Sequence, residues 1–243
     1  MKGKYLRIIL IIIALLILLN VGVLANSSNR ILTVGIKPGD NYMTVTAHLL
    51  GIIPRTSGPQ MAVWIEDGQG NFVKTLYVTE KTAKAHWGTN YIQRPETLPV
   101  WSHSRGIETD DNYYMPTLKK PAADAVSGAT PRGASIHDWQ VPDKYNVGTE
   151  FIVRVEVNAA YDFNEIYDKK LPKDNPYFNK LSGQPSLVYQ ARIRLKEKSY
   201  EFDLELVGHG HPAGEDGKVY DNMEGIDSAL KLVDSIGGGL IIE

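Results

Sequence analysis

The chain has 243 residues, 22% charged and 43% hydrophobic, with 26 Lys+Arg against 28 Asp+Glu for a formal net charge of −2. That composition suits a globular protein with ample core, and its balanced charge gives no basis for nucleic-acid binding. Cysteine is absent, which excludes disulfides, thiol catalysis, Cys-ligated zinc and iron–sulfur clusters together.

Lys2, Lys4 and Arg7 precede an unbroken apolar run from Ile8 to Leu19, and Val23-Leu24-Ala25 closes the segment before polar Asn26-Ser27-Ser28. A basic flank, an apolar stretch of secretory length and a Val-x-Ala ending describe a signal peptide over residues 1–25. Counted through Ala25 the stretch from Ile8 reaches the lower limit for a bilayer span, so an uncleaved anchor over residues 8–25 is the alternative. Either reading exports the remainder to the periplasm or another extracytoplasmic space. Cleavage would remove three positive charges and shift the net charge from −2 to −5. Residues 26–40 then form a linker with room for a first strand, and residues 41–243 a single β domain.

Alternation with period two predicts strands along that domain. Met43, Val45, Ala47 and Leu49 alternate with polar neighbours, as do Met61, Val63 and Ile65. Asp67-Gly68-Gln69-Gly70-Asn71 predicts a hairpin loop into Phe72–Val78. In Phe151–Val157 the apolar residues share one side, with Arg154 and Glu156 on the other. Residues 187–196 and 201–207 predict an antiparallel hairpin with Lys196 opposite Glu201, Arg194 opposite Asp203 and Arg192 opposite Glu205, stacking Ile193 on Leu204. Residues 79–105 and 161–185, rich in aromatics, Asn, Asp and Pro, read as ordered surface excursions. Ile226, Leu230, Val233 and Ile236 recur at helical spacing, predicting a short C-terminal helix ended by Gly237-Gly238-Gly239. The fold class is therefore all-β, an antiparallel sandwich with long loops, in which Trp64, Trp87, Trp101 and Trp139 anchor the core.

Three stretches, Ala62-Val63-Trp64-Ile65-Glu66-Asp67, Gly183-Gln184-Pro185-Ser186-Leu187-Val188-Tyr189 and Gly208-His209-Gly210-His211-Pro212, resemble a family of bacterial periplasmic proteins, domain-of-unknown-function family 2271. The stretch from Gly128 through Trp139 and Gly148 to Glu156 is similar to the Ig-like domain of flagellar hook-capping proteins. Together these resemblances imply an Ig-like sandwich in the cell envelope, and no particular activity.

Two motifs offer chemistry. Asp124-Ala125-Val126-Ser127-Gly128-Ala129-Thr130 resembles the pattern on which bacterial flavin transferases esterify FMN to a threonine hydroxyl. Gly128 and Ala129 leave the backbone unobstructed, Thr130 supplies the hydroxyl, Asp124 could order the loop, and Ser127 completes the pattern. Such a threonine must offer its hydroxyl to solvent. The competing reading is a glycine-rich turn before the Trp139 strand.

His209 and His211, at i and i+2 of an extended backbone, project to one side and with Glu215 and Asp216 could hold a divalent metal, with His103 or His137 as a further ligand. The competing reading there is a hydrogen-bonded loop. Hydrolase, phosphate-loop and dinucleotide motifs are missing, and Ser102-His103-Ser104 reads as a polar loop, so an enzyme is the less favoured class. The expected function is an exported, non-enzymatic Ig-like module that binds an envelope protein or redox partner; the alternative is an electron carrier with covalent FMN on Thr130.

Overall fold

The computed structural model describes residues 29–48, 53–87, 90–91, 93–109, 113–122, 126–179 and 181–243. The signal or anchor segment and Asp124 therefore lie outside the described residues.

Alternating apolar side chains build two sheets that face one another, as the period-two pattern predicts. Strand β1 (Arg30–Pro38) turns Leu32, Val34 and Ile36 inward. It lies between two strands from much later in the chain, so the frame begins at Arg30. A hairpin of β2 (Thr44–His48) and β3 (Ile53–Ser57) follows, then β4 (Gln60–Asp67) and β5 (Phe72–Thr79). The Asp67–Asn71 loop turns as expected: the Asp67 carboxylate accepts from the backbone N–H of Gln69 and Asn71, both at 2.9 Å, and Gly70 takes a positive φ.

The next segment carries β6 (His86–Trp87), β7 (Asn90–Tyr91) and a six-residue helix, Pro99–Ser104. Strands β8 (Ser127–Gly128), β9 (Ser135–Gln140), β10 (Glu150–Asn158), β11 (Leu187–Arg194), β12 (Tyr200–Asp203), β13 (Glu205–His209) and β14 (Val233–Ile242) complete the frame. One sheet runs β12-β14-β1-β9 and the other β13-β11-β10-β4-β5-β8, antiparallel throughout save the short β5–β8 pair. Leu32, Val34, Trp139, Ile236 and Leu240 from the first meet Val63, Ile65, Val153, Val155 and Ile193 from the second in one core.

Three expectations are corrected. Residues 79–105 are no surface excursion: Ala83, Leu98, Val100 and Trp101 cover the outer face of the six-stranded sheet, forming a second core with Ala62, Trp64 and Val188. Strand β4 is accordingly buried on both faces. The C-terminal helix is replaced by one 3-10 turn, Ser228–Lys231, followed by β14 with its three glycines inside the strand. Pairing with β1 on one side and β12 on the other supplies a ladder that a short isolated helix cannot match.

The predicted hairpin is divided between the sheets. After Arg194 the chain crosses over, pairs β12 with β14, and returns through Leu204 to pair β13 with β11, so Glu205 faces Gln190 instead of Arg192. The offset is two at Gln190 and Tyr189, which keeps side-chain direction there, and one beyond the bulge at Val188, while Leu206 is exposed. Arg194 finds its carboxylate on the neighbouring strand at Glu150, and the Lys196 ammonium lies 4.3 Å from the centre of the Tyr200 ring.

Of the tryptophans, Trp64, Trp101 and Trp139 are buried. Trp87 is half-buried, with the Arg94 guanidinium 4.3 Å above its ring.

Candidate functional site

Two of the sequence motifs meet on adjacent strands. Leu187 opens β11 opposite His209, the last residue of β13, and the Gly210 N–H donates to the Ser186 carbonyl at 2.9 Å. Beneath them lies Glu156, wholly buried. Its Oε1 accepts from the Ser186 hydroxyl at 2.6 Å and the Val100 N–H at 3.2 Å, while Oε2 accepts from the Trp101 N–H at 2.8 Å. Burial pushes this carboxyl up to about 7, against the pull of those donors and the charge of Arg154. Beside it Glu66 takes the Trp64 indole N–H at 2.8 Å and the Arg154 Nε at 3.0 Å. The alternation in β10 does turn Arg154 and Glu156 away from the main core, but that face is covered instead of wet. This polar cluster fastens the covering layer to the sheet.

The Gly-His-Gly-His segment serves the same joint. Gly208 sits at φ +145° in a bulge, and a Cβ there would stand 2.1 Å from the Tyr220 carbonyl oxygen. A Cβ on Gly210 would meet Pro99 and the Ser186 hydroxyl oxygen, each at 2.6 Å. His209 is buried, with Nδ1 2.7 Å from the Gly210 carbonyl oxygen and Nε2 2.9 Å from that of Asn222. The Nδ1 of His211 accepts from the Ala213 N–H at 3.1 Å, and its Nε2 lies 3.8 Å from the Glu215 carboxylate. Asp216 accepts from the Tyr220 hydroxyl at 2.9 Å and pairs with Lys218 at 3.5 Å.

Both imidazoles lean on the Tyr220 ring, at 5.6 and 5.9 Å, and both nitrogens of His209 and Nδ1 of His211 meet protein atoms. Among the described residues no three His, Asp or Glu side chains gather to hold a metal. The two further histidines considered as ligands are occupied elsewhere. His103 stacks on Tyr114 and meets the Pro99 carbonyl at 2.8 Å, while His137 stacks on Tyr77 at 4.4 Å, where burial lowers its pKa. Ser102-His103-Ser104 belongs to the Pro99–Ser104 helix, not to a loop, with Ser102 buried in the covering layer.

The Ser127–Thr130 segment occupies an edge. Ser127 and Gly128 pair in parallel with Val78 and Thr79 of β5, closing the six-stranded sheet. The buried Tyr77 hydroxyl is shared between the carbonyls of Ala129 at 2.9 Å and Gly128 at 3.2 Å, pinning the loop from below. Burial raises the Tyr77 phenol to about 12, so it remains a donor at any ordinary pH. Ser127 and Ala129 are exposed and Thr130 half-buried.

The Thr130 hydroxyl donates to the Pro59 carbonyl at 3.1 Å, and its methyl lies over Gly58, where a Cβ would stand 2.6 Å away. The hydroxyl expected to face solvent alone thus has a protein partner that holds it in one rotamer. A groove of about 240 Å³ opens beside it, lined by Met43, Ser57, Glu80, Lys81 and Arg132 among others. Nothing in the sequence around Tyr77, Gly58 and Pro59 marks them as partners of Thr130; only the fold brings them under the motif. Removing the shared bond in Tyr77→Phe is expected to cost about 1 kcal/mol in urea unfolding, the ordinary worth of one buried hydrogen bond. An unchanged midpoint would mean that the loop carbonyls find water instead.

No protein-family model, curated protein or solved structure matches this chain.

Proposed function

We propose that the chain is an exported, Ig-like envelope module that acts as an electron carrier through FMN esterified to Thr130, and that it has no catalytic activity of its own. The observation that carries this reading is the placement of Ser127–Thr130: a sheet-edge loop with small exposed neighbours, held by Tyr77, beside a groove with Lys81 and Arg132 on its lining. The periplasmic location rests on the Met1–Ala25 sequence, and the Ig-like description on two antiparallel sheets between which the chain switches at β9–β10 and at β12–β13.

The residues present suit the phosphoester end of the group. Esterification by a flavin transferase would join Thr130 Oγ1 to the flavin-side phosphorus of a flavin dinucleotide, with the nucleotide phosphate as leaving group taking the hydroxyl proton. Pro59 would lose its donor in the exchange; the groove lining carries Lys81 and Arg132 as cations for the phosphate, with the Glu80 carboxylate among them. When bound, the flavin would supply reversible electron transfer. Engagement of both imidazole nitrogens at His209 and of Nδ1 at His211, with no third His, Asp or Glu gathered among the described residues, leaves the metal reading without comparable support.

Coexpression with a flavin transferase is expected to add the mass of one FMN phosphoester and in-gel flavin fluorescence, both lost in Thr130→Ala. An unmodified parent chain, under conditions that flavinylate a known carrier, overturns the proposal.

A further inference from the structure

The outer face of the four-stranded sheet carries a groove that the packing of the sandwich does not require. Its register places Asp203, Gly237, Gly35 and Ile136 in one row across β12, β14, β1 and β9, and Glu201, Gly239, Thr33 and Asp138 in the next. A Cβ added to Gly35 would meet nothing nearer than 3.8 Å, one on Gly237 nothing nearer than 3.5 Å, and one on Gly239 nothing nearer than 3.4 Å. Side chains therefore fit at all three positions, where strand glycine weakens the sheet. Gly238 between them is different: it faces inward, and a Cβ there would stand 2.3 Å from the Phe202 ring. The inner glycine is compelled by the core and the outer three are not.

What the outer glycines leave is a trough of about 610 Å³ whose floor is bare backbone at Gly35, Gly237 and Gly239, with the Thr33 side chain beside them. Ile136, 72% exposed, and Ile241, 41% exposed, stand at its margins. Glu201 and Asp203 form one rim, with Asp138 in the second row across the sheet. None of these three carboxylates has an ion-pair partner among the described residues, whereas Lys37 on the same sheet is paired with Asp234 at 2.8 Å.

We propose that this trough docks an extended, basic segment of a partner protein. Arginine and lysine stems lie on the glycine floor between the isoleucines, and their cationic heads reach Glu201, Asp203 and Asp138. Such side chains combine an apolar stem with a charged tip, matching a glycine-rich floor and a rim of carboxylates. An apolar segment would desolvate three carboxylates without compensation, and an acidic one would be repelled. The inference stands apart from the flavin at Thr130, since none of the trough residues belongs to that loop.

The probe is a short fluorescein-labelled peptide of alternating arginine and valine, with a glutamate–valine counterpart, titrated against the full chain. The arginine peptide is expected to bind and the glutamate peptide not to. Gly35→Val/Gly237→Val should weaken binding about tenfold or more while the thermal midpoint stays level or rises. Glu201→Gln/Asp203→Asn should weaken binding and flatten its salt dependence. Thr130→Ala should bind as the parent does, whether or not the parent accepts flavin, which separates this inference from the function proposed above. Binding that survives the filled trough, or a parent chain that fails to bind the arginine peptide, overturns the proposal.

Discussion

Gly208→Ala is expected to be the most damaging single substitution in the Gly-His-Gly-His segment, costing on the order of 4 kcal/mol of stability. Two effects add. The backbone at φ +145° is one that an L side chain rarely adopts, and the new methyl would press to 2.1 Å of the Tyr220 carbonyl oxygen. That carbonyl accepts from the His209 N–H at 2.9 Å, and the Tyr220 N–H returns a bond to the His209 carbonyl at the same distance. Relief therefore means losing both bonds as well as the stack of His209 on Tyr220. Against the 5–15 kcal/mol typical of a folded domain, about 4 kcal/mol is a large loss. Urea unfolding measures it directly. Gly210→Ala should cost less, because its new methyl meets the Pro99 ring edge and the Ser186 hydroxyl, which can shift, instead of a backbone carbonyl. If Gly208→Ala unfolds at the parent's midpoint, residues 219–220 do not hold this joint.

Glu156 governs the second large effect, which depends on pH. Its folded-state carboxyl is raised to about 7 from the ordinary glutamate value of 4.5, because burial outweighs the Ser186 hydroxyl and the two backbone donors. Between those values the folded chain holds a proton that the unfolded chain has released. Stability from this group is thus fully present below 4.5, declines as pH rises through the window and levels off above about 7. A shift of that size corresponds to roughly 3 kcal/mol. In Glu156→Gln the group cannot ionise, so the variant should gain roughly 3 kcal/mol on the parent between pH 4.5 and pH 8. The difference between the two unfolding curves isolates Glu156 from every other titrating group. A difference that stays constant with pH would mean that the carboxylate keeps its charge inside the fold.

The local pattern of this chain determined much of the frame. Alternation at Met61–Ile65, Phe151–Val157 and Leu187–Ile193 specified strands and their inward faces, because side-chain direction in a strand depends only on position along it. The Asp67–Asn71 turn was equally legible, since its carboxylate and glycine act within five residues. Thr130 and the histidines could be singled out as candidates for the same reason: their motifs are short and contiguous.

Pairing was decided elsewhere. Lys196 opposite Glu201 was the best local register, yet β12 leaves for β14, thirty residues and more along the chain, and Arg194 takes its carboxylate from Glu150. The apolar spacing of Ile226–Ile236 served a turn and a strand, because β1 and β12 offer two ladders that no property of residues 226–243 announces. Burial of the second face was likewise invisible. Arg154 and Glu156 look like a solvated edge in sequence, and only the return of Leu98–Trp101 over the sheet makes Glu156 a buried acid. Tertiary structure also separated the two motifs with chemistry in them. It committed both nitrogens of His209 to carbonyls and Nδ1 of His211 to an N–H, while it set Thr130 on an edge loop beside a groove, because burial and exposure are properties of distant segments meeting and not of the motif itself.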